Sequence, residues 1–98
     1  MQNYPFYGIN QMKFEYDSDK SSSNKDRHGI DFKEAQAIWD DEFRVEIPAK
    51  VIGELRYLVI GLIQEKHWSV IVTYRDNNVR IISVRRSRIE EIEIYENF

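Results

Sequence analysis

A chain of 98 residues with 42% hydrophobic and 32% charged side chains has the size of one domain and is too hydrophobic to remain disordered. The lack of cysteine excludes disulfides and thiolate metal sites, and no run reaches the ~20 apolar residues that span a bilayer. The net charge of −3 argues against nucleic-acid binding through bulk charge.

Residues 1–11 carry Tyr4, Phe6 and Tyr7 without periodicity and read as an N-terminal extension, disordered or the product of a misassigned start at Met1 rather than Met12. They lack the basic start and apolar centre of a signal peptide, so a cytoplasmic location is expected. Residues 12–98 read as a single domain. Its first element, MKFEYD, is a short edge strand with Phe14 and Tyr16 on one face. Asp17 or Ser18 caps a polar helix over about 19–28, and Gly29 ends it in the left-handed conformation. With three consecutive serines and almost no apolar residues, this helix is expected to lie on the surface and to be weak. Asp31 and Glu34 form a capping box for a helix over about 32–41 that places Phe32, Ala35, Ile38 and Trp39 on one apolar face. A strand over 43–47 follows, ended by Pro48.

The second half reads as sheet. Strands are expected over 55–63, interrupted at Gly61, over 68–74 and over 79–84, with hairpin turns at Gln64–His67 and Asp76–Asn78. Short connections make these three an antiparallel meander, and with the helices the fold class is α+β. Ser87-Arg88-Ile89-Glu90 is a further capping box, opening a short acidic helix with Ile89, Ile92 and Tyr95 as a thin apolar stripe.

Charge is segregated along the chain. Residues 75–88 hold five basic and one acidic side chain, and residues 89–98 hold four acidic and no basic ones. That concentration is the pattern of a local anion site, and guanidinium groups grip phosphate through paired donors. Arg56, Arg75, Arg80 and Arg85 are the phosphate candidates; the bland alternative is a solvated strand end pairing with the glutamates after it. Ideal alternation separates Arg80 from Arg85, and a bulge or the strand end relaxes that. Ser83 either positions a phosphate or fills a small site under a helix. Glu54, two residues before Arg56, is a base or the partner of that arginine. Arg86 and Arg88 read as partners of Glu90 or Glu91. His28, at a helix end, is an acid or base or else a cap on helix carbonyls; His67 reads as a surface turn residue. Tyr57, Trp39 and Trp68 offer rings for base stacking, with Trp39 better explained as core. No glycine-rich phosphate loop is present, and two histidines 39 residues apart provide no metal-ligand spacing.

The ordered set FEYD, then Lys20, Asn24 and Arg27-His28-Gly29, then Phe32 and Ala35, then Glu54-x-Arg56-Tyr57 running to Ile60-Gly61, then Thr73-Tyr74-Arg75, then Arg80-Ile81-Ile82-Ser83-Val84-Arg85-Arg86, and Glu91 four before Tyr95, resembles the BrnT-type toxins over about residues 12–96. Arg27, Val84 and Ser87 depart mildly from that pattern, standing where lysine, alanine and alanine are usual. The resemblance implies a RelE-like fold, a small antiparallel sheet flanked by helices, and a ribonuclease that cuts RNA without metal or cofactor, inhibiting translation and growth. It also implies a BrnA-like ribbon-helix-helix antitoxin as partner, a 2:2 assembly, contact with operator DNA only through the antitoxin, and no membrane. Metal-free cleavage needs a base near the 2′-hydroxyl, cations on the developing phosphorane and an acid for the 5′ oxygen. His28, Arg56, Arg80, Ser83 and Arg85 are the catalytic candidates, and Glu54, Arg75 and Tyr57 the substrate contacts. A rival from another class is a catalytically inactive interaction module that only binds its antitoxin. Direct DNA binding suffers from the lack of a basic recognition helix.

Overall fold

Alternating apolar residues build the centre of the molecule. The computed structural model describes residues 12–49 and 53–97, so the expectations for residues 1–11 lie outside the described residues. Five strands form one sheet: β1 (Lys13–Glu15), β2 (Val45–Ala49), β3 (Arg56–Ile63), β4 (Lys66–Arg75) and β5 (Asn78–Arg86), in the order β1-β5-β4-β3-β2. The expected meander is β3-β4-β5, and β2 extends it antiparallel. At the other edge β1 runs parallel to β5, so the sheet is mostly rather than wholly antiparallel.

Strands β4 and β5 are longer than the expected 68–74 and 79–84 because their turns are tighter, while β3 keeps close to the expected 55–63. Gln64 and Glu65 both adopt positive φ, at 50° and 66°, which closes β3 onto β4 with two residues and lets pairing run to Ile63 and Lys66. Pro48 does not end its strand; it lies inside β2, opposite Tyr57. An edge position tolerates a residue with no N–H to donate. Gly61 does not interrupt β3 either. It stands opposite Trp68, and a Cβ there would come within 2.8 Å of Ile38 Cγ1.

That close neighbour belongs to Glu34–Asp40, a 3₁₀ helix where the α-helix was expected. The Asp31–Glu34 capping box is formed: Glu34 N–H donates to Asp31 Oδ1 at 2.7 Å and Asp31 N–H to Glu34 Oε1 at 2.9 Å. Phe32, Ala35 and Ile38 recur every three residues, the period of a 3₁₀ helix, and all three are buried. With Ile30 and Trp39 they cover one face of the sheet, formed by Val59 of β3, Trp68, Val70 and Val72 of β4, and Val79, Ile81 and Val84 of β5.

Helix α1 (Ser18–His28) starts and stops as expected. Asp17 Oδ1 accepts from the amides of Asp19 and Lys20, and Gly29 ends the helix at φ 78°. Its attachment differs from the expectation of a weak surface helix. Ser21 and Asn24 are buried. Phe32 N–H donates to Ser21 Oγ. Asn24 Nδ2 donates to the carbonyls of Ile30 and Val84, both at 2.9 Å, while Val84 N–H donates to Asn24 Oδ1 at 3.3 Å. β1 pairs with β5 only over residues 78–80, so the carboxamide of Asn24 completes the edge of β5 farther along, as a neighbouring strand would. Asn24→Ala should therefore cost about 2–3 kcal/mol, because it leaves buried backbone groups unpaired. Ser22→Ala and Ser23→Ala, on the exposed side, should stay within about 0.5 kcal/mol. Urea unfolding of the three variants checks this; equal stabilities would show that Asn24 does not hold the helix.

Candidate active site

Register decides which side chains β5 presents to each face. Val72 stands opposite Ile81, but Ile71 stands opposite Ser83, which makes Ile82 the extra residue of a β-bulge. One extra residue reverses the alternation beyond it. Val79, Ile81 and Val84 therefore all face the core, while Arg80, Ser83 and Arg85, opposite Thr73, Ile71 and Ser69, share the other face. The odd spacing that separates Arg80 from Arg85 on an ideal strand is cancelled. Alternation along β3 and β4 brings Arg56 and Arg75 to the same side as Leu58 and Thr73. Four arginines and Ser83 are thus brought together on one face.

Tyr57 and His28 are not brought there. Tyr57 pairs with Val72 on the core side, its ring edge-on to Tyr74 at 5.3 Å. His28 sits at the end of α1, and among the described residues no hydrogen bond or ion pair links it to any arginine. Its neighbour Gly29 lines a cavity of ≈ 590 Å³ with Ile30, Glu34, Asp41, Leu62 and Trp68, and none of the arginines borders it. Trp68 is not available for stacking: it is buried in the core cluster with Arg86 over its ring at 5.4 Å, and Trp39 is core as expected.

Each arginine of the face has a carboxylate beside it. Glu54 bridges two of them, with Arg75 Nη2 at 3.0 Å and Arg56 Nε at 3.6 Å. The Arg75 hydrogen bond first, against burial, and then the charges of Arg75 and Arg56 hold the Glu54 carboxyl below its usual range, so it is ionised at neutral pH. Arg80 Nη1 stands 3.8 Å from Glu15. These groups are about one-third exposed or more, and such pairs contribute little to stability.

Arg85 is different. Its Nη1 and Nη2 donate to Oε1 and Oε2 of Glu91, both at 2.8 Å. Glu91 is 8% exposed, and its Oε1 also accepts from Ser69 Oγ and from the amide of Arg88, each at 2.8 Å. Ser69 spends its proton on Glu91, so Ser87 Oγ donates to Ser69 Oγ. The bond to Arg85, followed by those to Arg88 and Ser69, outweighs burial and holds the Glu91 carboxyl at about 2. Glu91 lies in helix α2 (Ile89–Glu96), which this network fastens to the sheet.

The capping box at the start of α2 is displaced by one residue from Ser87–Glu90 to Arg88–Glu91, half of it being the bond from Arg88 N–H to Glu91. The cause is that Ser87 still follows the ladder, its N–H donating to His67 O. Among the described residues the guanidinium groups of Arg86 and Arg88 form no ion pair with Glu90 or Glu91: Arg86 Nε donates to His67 O, and Arg88 meets Glu91 through its backbone amide. At its other end α2 is held by Tyr95, whose hydroxyl donates to Asp41 Oδ2 at 2.6 Å. Asp41 also accepts from the amides of Leu62 and Phe43. Burial and the Asp41 bond push the Tyr95 hydroxyl up to about 12. His67, read as a surface residue, is half-buried, with Nε2 donating to Glu96 at 2.7 Å and its ring edge-on to Tyr95.

Among the described residues no group of three or more His, Asp or Glu could hold a metal ion, and no helix is long and apolar enough to cross a membrane. A family model described as ribonuclease toxin, BrnT, of type II toxin–antitoxin system matches residues 16–91. No curated protein matches the chain.

The Glu91 network sets an acid limit on α2. The carboxyl is depressed in the folded state, so its contribution is complete above about pH 4.5 and is lost as pH falls towards about 2. By linkage that contribution is on the order of 3 kcal/mol. Glu91→Gln should be less stable than the parent at pH 7 by roughly this amount, with the gap closing across that window as the parent loses its carboxylate. Urea titrations of both proteins at a series of pH values measure it, and a gap independent of pH would exclude an ionised Glu91 as the source.

Proposed function

The chain belongs to the BrnT family of ribonuclease toxins of type II toxin–antitoxin systems, and on that premise we propose that it is an endoribonuclease that cleaves RNA phosphodiesters on its arginine face without a metal ion, and so blocks translation in the cytoplasm. The observation that carries the proposal is the bulge at Ile82, which aligns Arg80, Ser83 and Arg85 with Arg56 and Arg75.

Attack of the neighbouring 2′ oxygen on phosphorus builds negative charge on the non-bridging oxygens of a phosphorane, which collapses to a 2′,3′-cyclic phosphate as the bond to the 5′ oxygen breaks and that oxygen takes a proton from water. Fixed cations aimed at that charge act more strongly in the transition state than in the ground state. In this reading Arg56 and Arg80 take the developing charge, Arg75 and Arg85 hold flanking phosphates, and Ser83 donates to a non-bridging oxygen. Glu54, ionised between Arg56 and Arg75, orients both guanidinium groups and is the carboxylate available to accept the 2′-hydroxyl proton. His28 and Tyr57 stand outside this group and receive no role here.

The family is defined by a toxin–antitoxin pair, so a protein antitoxin is the partner. We assign it the ribbon-helix-helix class, with operator DNA reached through that partner and a 2:2 complex. Its toxin-binding segment covers the arginine face with acidic side chains, a pairing whose strength falls as salt rises.

Arg56→Ala and Arg80→Ala should each slow cleavage of an RNA oligonucleotide by about 10²-fold, the scale of losing one transition-state donor. Arg80→Ala should change stability by less than about 1 kcal/mol. Chelators should leave the parent rate unchanged. Full cleavage by both folded variants would remove the arginine face from the reaction, and loss of activity in chelator would remove the metal-free mechanism.

A further inference from the structure

Arg85 is the arginine of this face whose guanidinium is already engaged in a fork-to-fork bond, and its occupant comes from the same chain. The carboxylate of Glu91 lies against Arg85 Nη1 and Nη2, the hydroxyl of Ser69 and the amide of Arg88. A guanidinium fork, a hydroxyl and a backbone amide are the donors that recognise a phosphate, and the edge of a carboxylate presents the same pair of acceptor oxygens as a phosphodiester. We propose that Glu91 is a built-in stand-in for RNA phosphate: it occupies Arg85 in the free protein, and RNA engages Arg85 by displacing it and loosening helix α2. The inference rests on the reading of the arginine face as the RNA site and concerns how that site is regulated.

Three observations favour displacement over a fixed brace. The first is a gradient of commitment. Arg56, Arg75 and Arg80 hold their carboxylates at 3.0–3.8 Å with side chains 33–53% exposed, so they are open to an incoming strand. The side chain of Arg85 is 28% exposed and that of Glu91 only 11%. A polyanion first seated on the three looser arginines reaches Arg85 at high local concentration, the condition under which an intramolecular competitor is exchanged. The second is the manner in which α2 is held. Its named bonds to the sheet and to Asp41 are polar, through Glu91, Tyr95 and Glu96. Ile89, which opens the helix, is 74% exposed, so loosening that end uncovers little apolar surface, while Ile92 and Tyr95 farther along are half-buried. The third is position. The bulge puts Arg85 on the face of Arg80 and Ser83, with Ser69 opposite it on β4, so a phosphate replacing the carboxylate remains on the same side as the rest of the strand.

The test uses the full chain and a 2′-O-methyl RNA oligonucleotide, which binds and is not cut. Affinity is measured by fluorescence anisotropy for the parent, Glu91→Gln, Arg85→Ala and the double variant, with Arg56→Ala and Arg80→Ala alongside. Removing the internal anion should tighten binding by at least about tenfold, since the site no longer has to be vacated, and the gain should vanish when Arg85→Ala is added. In the parent, RNA should accelerate amide hydrogen exchange over residues 89–96, a readout that does not depend on the stability of Glu91→Gln. If Arg56→Ala and Arg80→Ala weaken binding while Glu91→Gln does not strengthen it and exchange over 89–96 is unchanged or slowed, Glu91 is a brace and the inference fails, with the RNA face intact. If Arg56→Ala and Arg80→Ala also bind as the parent does, the RNA face itself is wrong and the inference falls with it.

Discussion

One extra residue in β5 governs what this protein shows to its surroundings. Before Ile82, the strand alternates Val79 and Ile81 inward with Arg80 outward; after it, Val84 inward with Ser83 and Arg85 outward. Without that residue the pairing beyond it would place either Val84 in solvent or Arg85 in a dry core, and an unpaired buried charge is among the costliest features a small domain can carry. Core packing and the charged face therefore depend on the same local irregularity. A bulge at such a place is a designed feature rather than a defect.

The molecule also divides its cohesion unevenly. The sheet and the 3₁₀ helix share a continuous apolar interface, sealed where Gly61 admits Ile38. The two α-helices are attached in another way. Helix α1 is buttoned down by Ser21 and Asn24, and α2 by Glu91 and Tyr95, all through directional bonds to backbone or to ionised partners. Apolar contact tolerates small slides, whereas these bonds are made or unmade. The helices are thus held in discrete positions by such bonds.

Much of the architecture is legible in the residues. Period-two runs mark β3, β4 and β5, Asp17 and Gly29 bracket α1, and the apolar spacing from Phe32 to Trp39 marks the core-facing segment. The arginines stand out as a charge anomaly, and the ordered motifs point to the family that residues 16–91 match. What is not legible depends on long-range register. The carboxamide of Asn24 meets Val84, sixty positions away, and nothing in a polar helix announces that. The choice of Arg85 rather than Arg86 or Arg88 for Glu91 follows from the bulge, and the displaced cap of α2 follows from Ser87 remaining on the ladder. Pro48 misleads because a proline reads as a stop unless the strand is known to be an edge.

The same asparagine has a consequence for the sheet as a surface for self-association. Exposed strand edges template intermolecular pairing and, from there, aggregation. Among the described residues both edges here are interrupted. β2 carries Pro48, which cannot donate, and β1 is only three residues long. Past the end of β1, where β5 would offer a bare ladder, the side chain of Asn24 takes the hydrogen bonds that an intruding strand would need. Among the described residues a second molecule therefore finds no uninterrupted row of backbone groups to add to at either edge, which works against association by sheet extension.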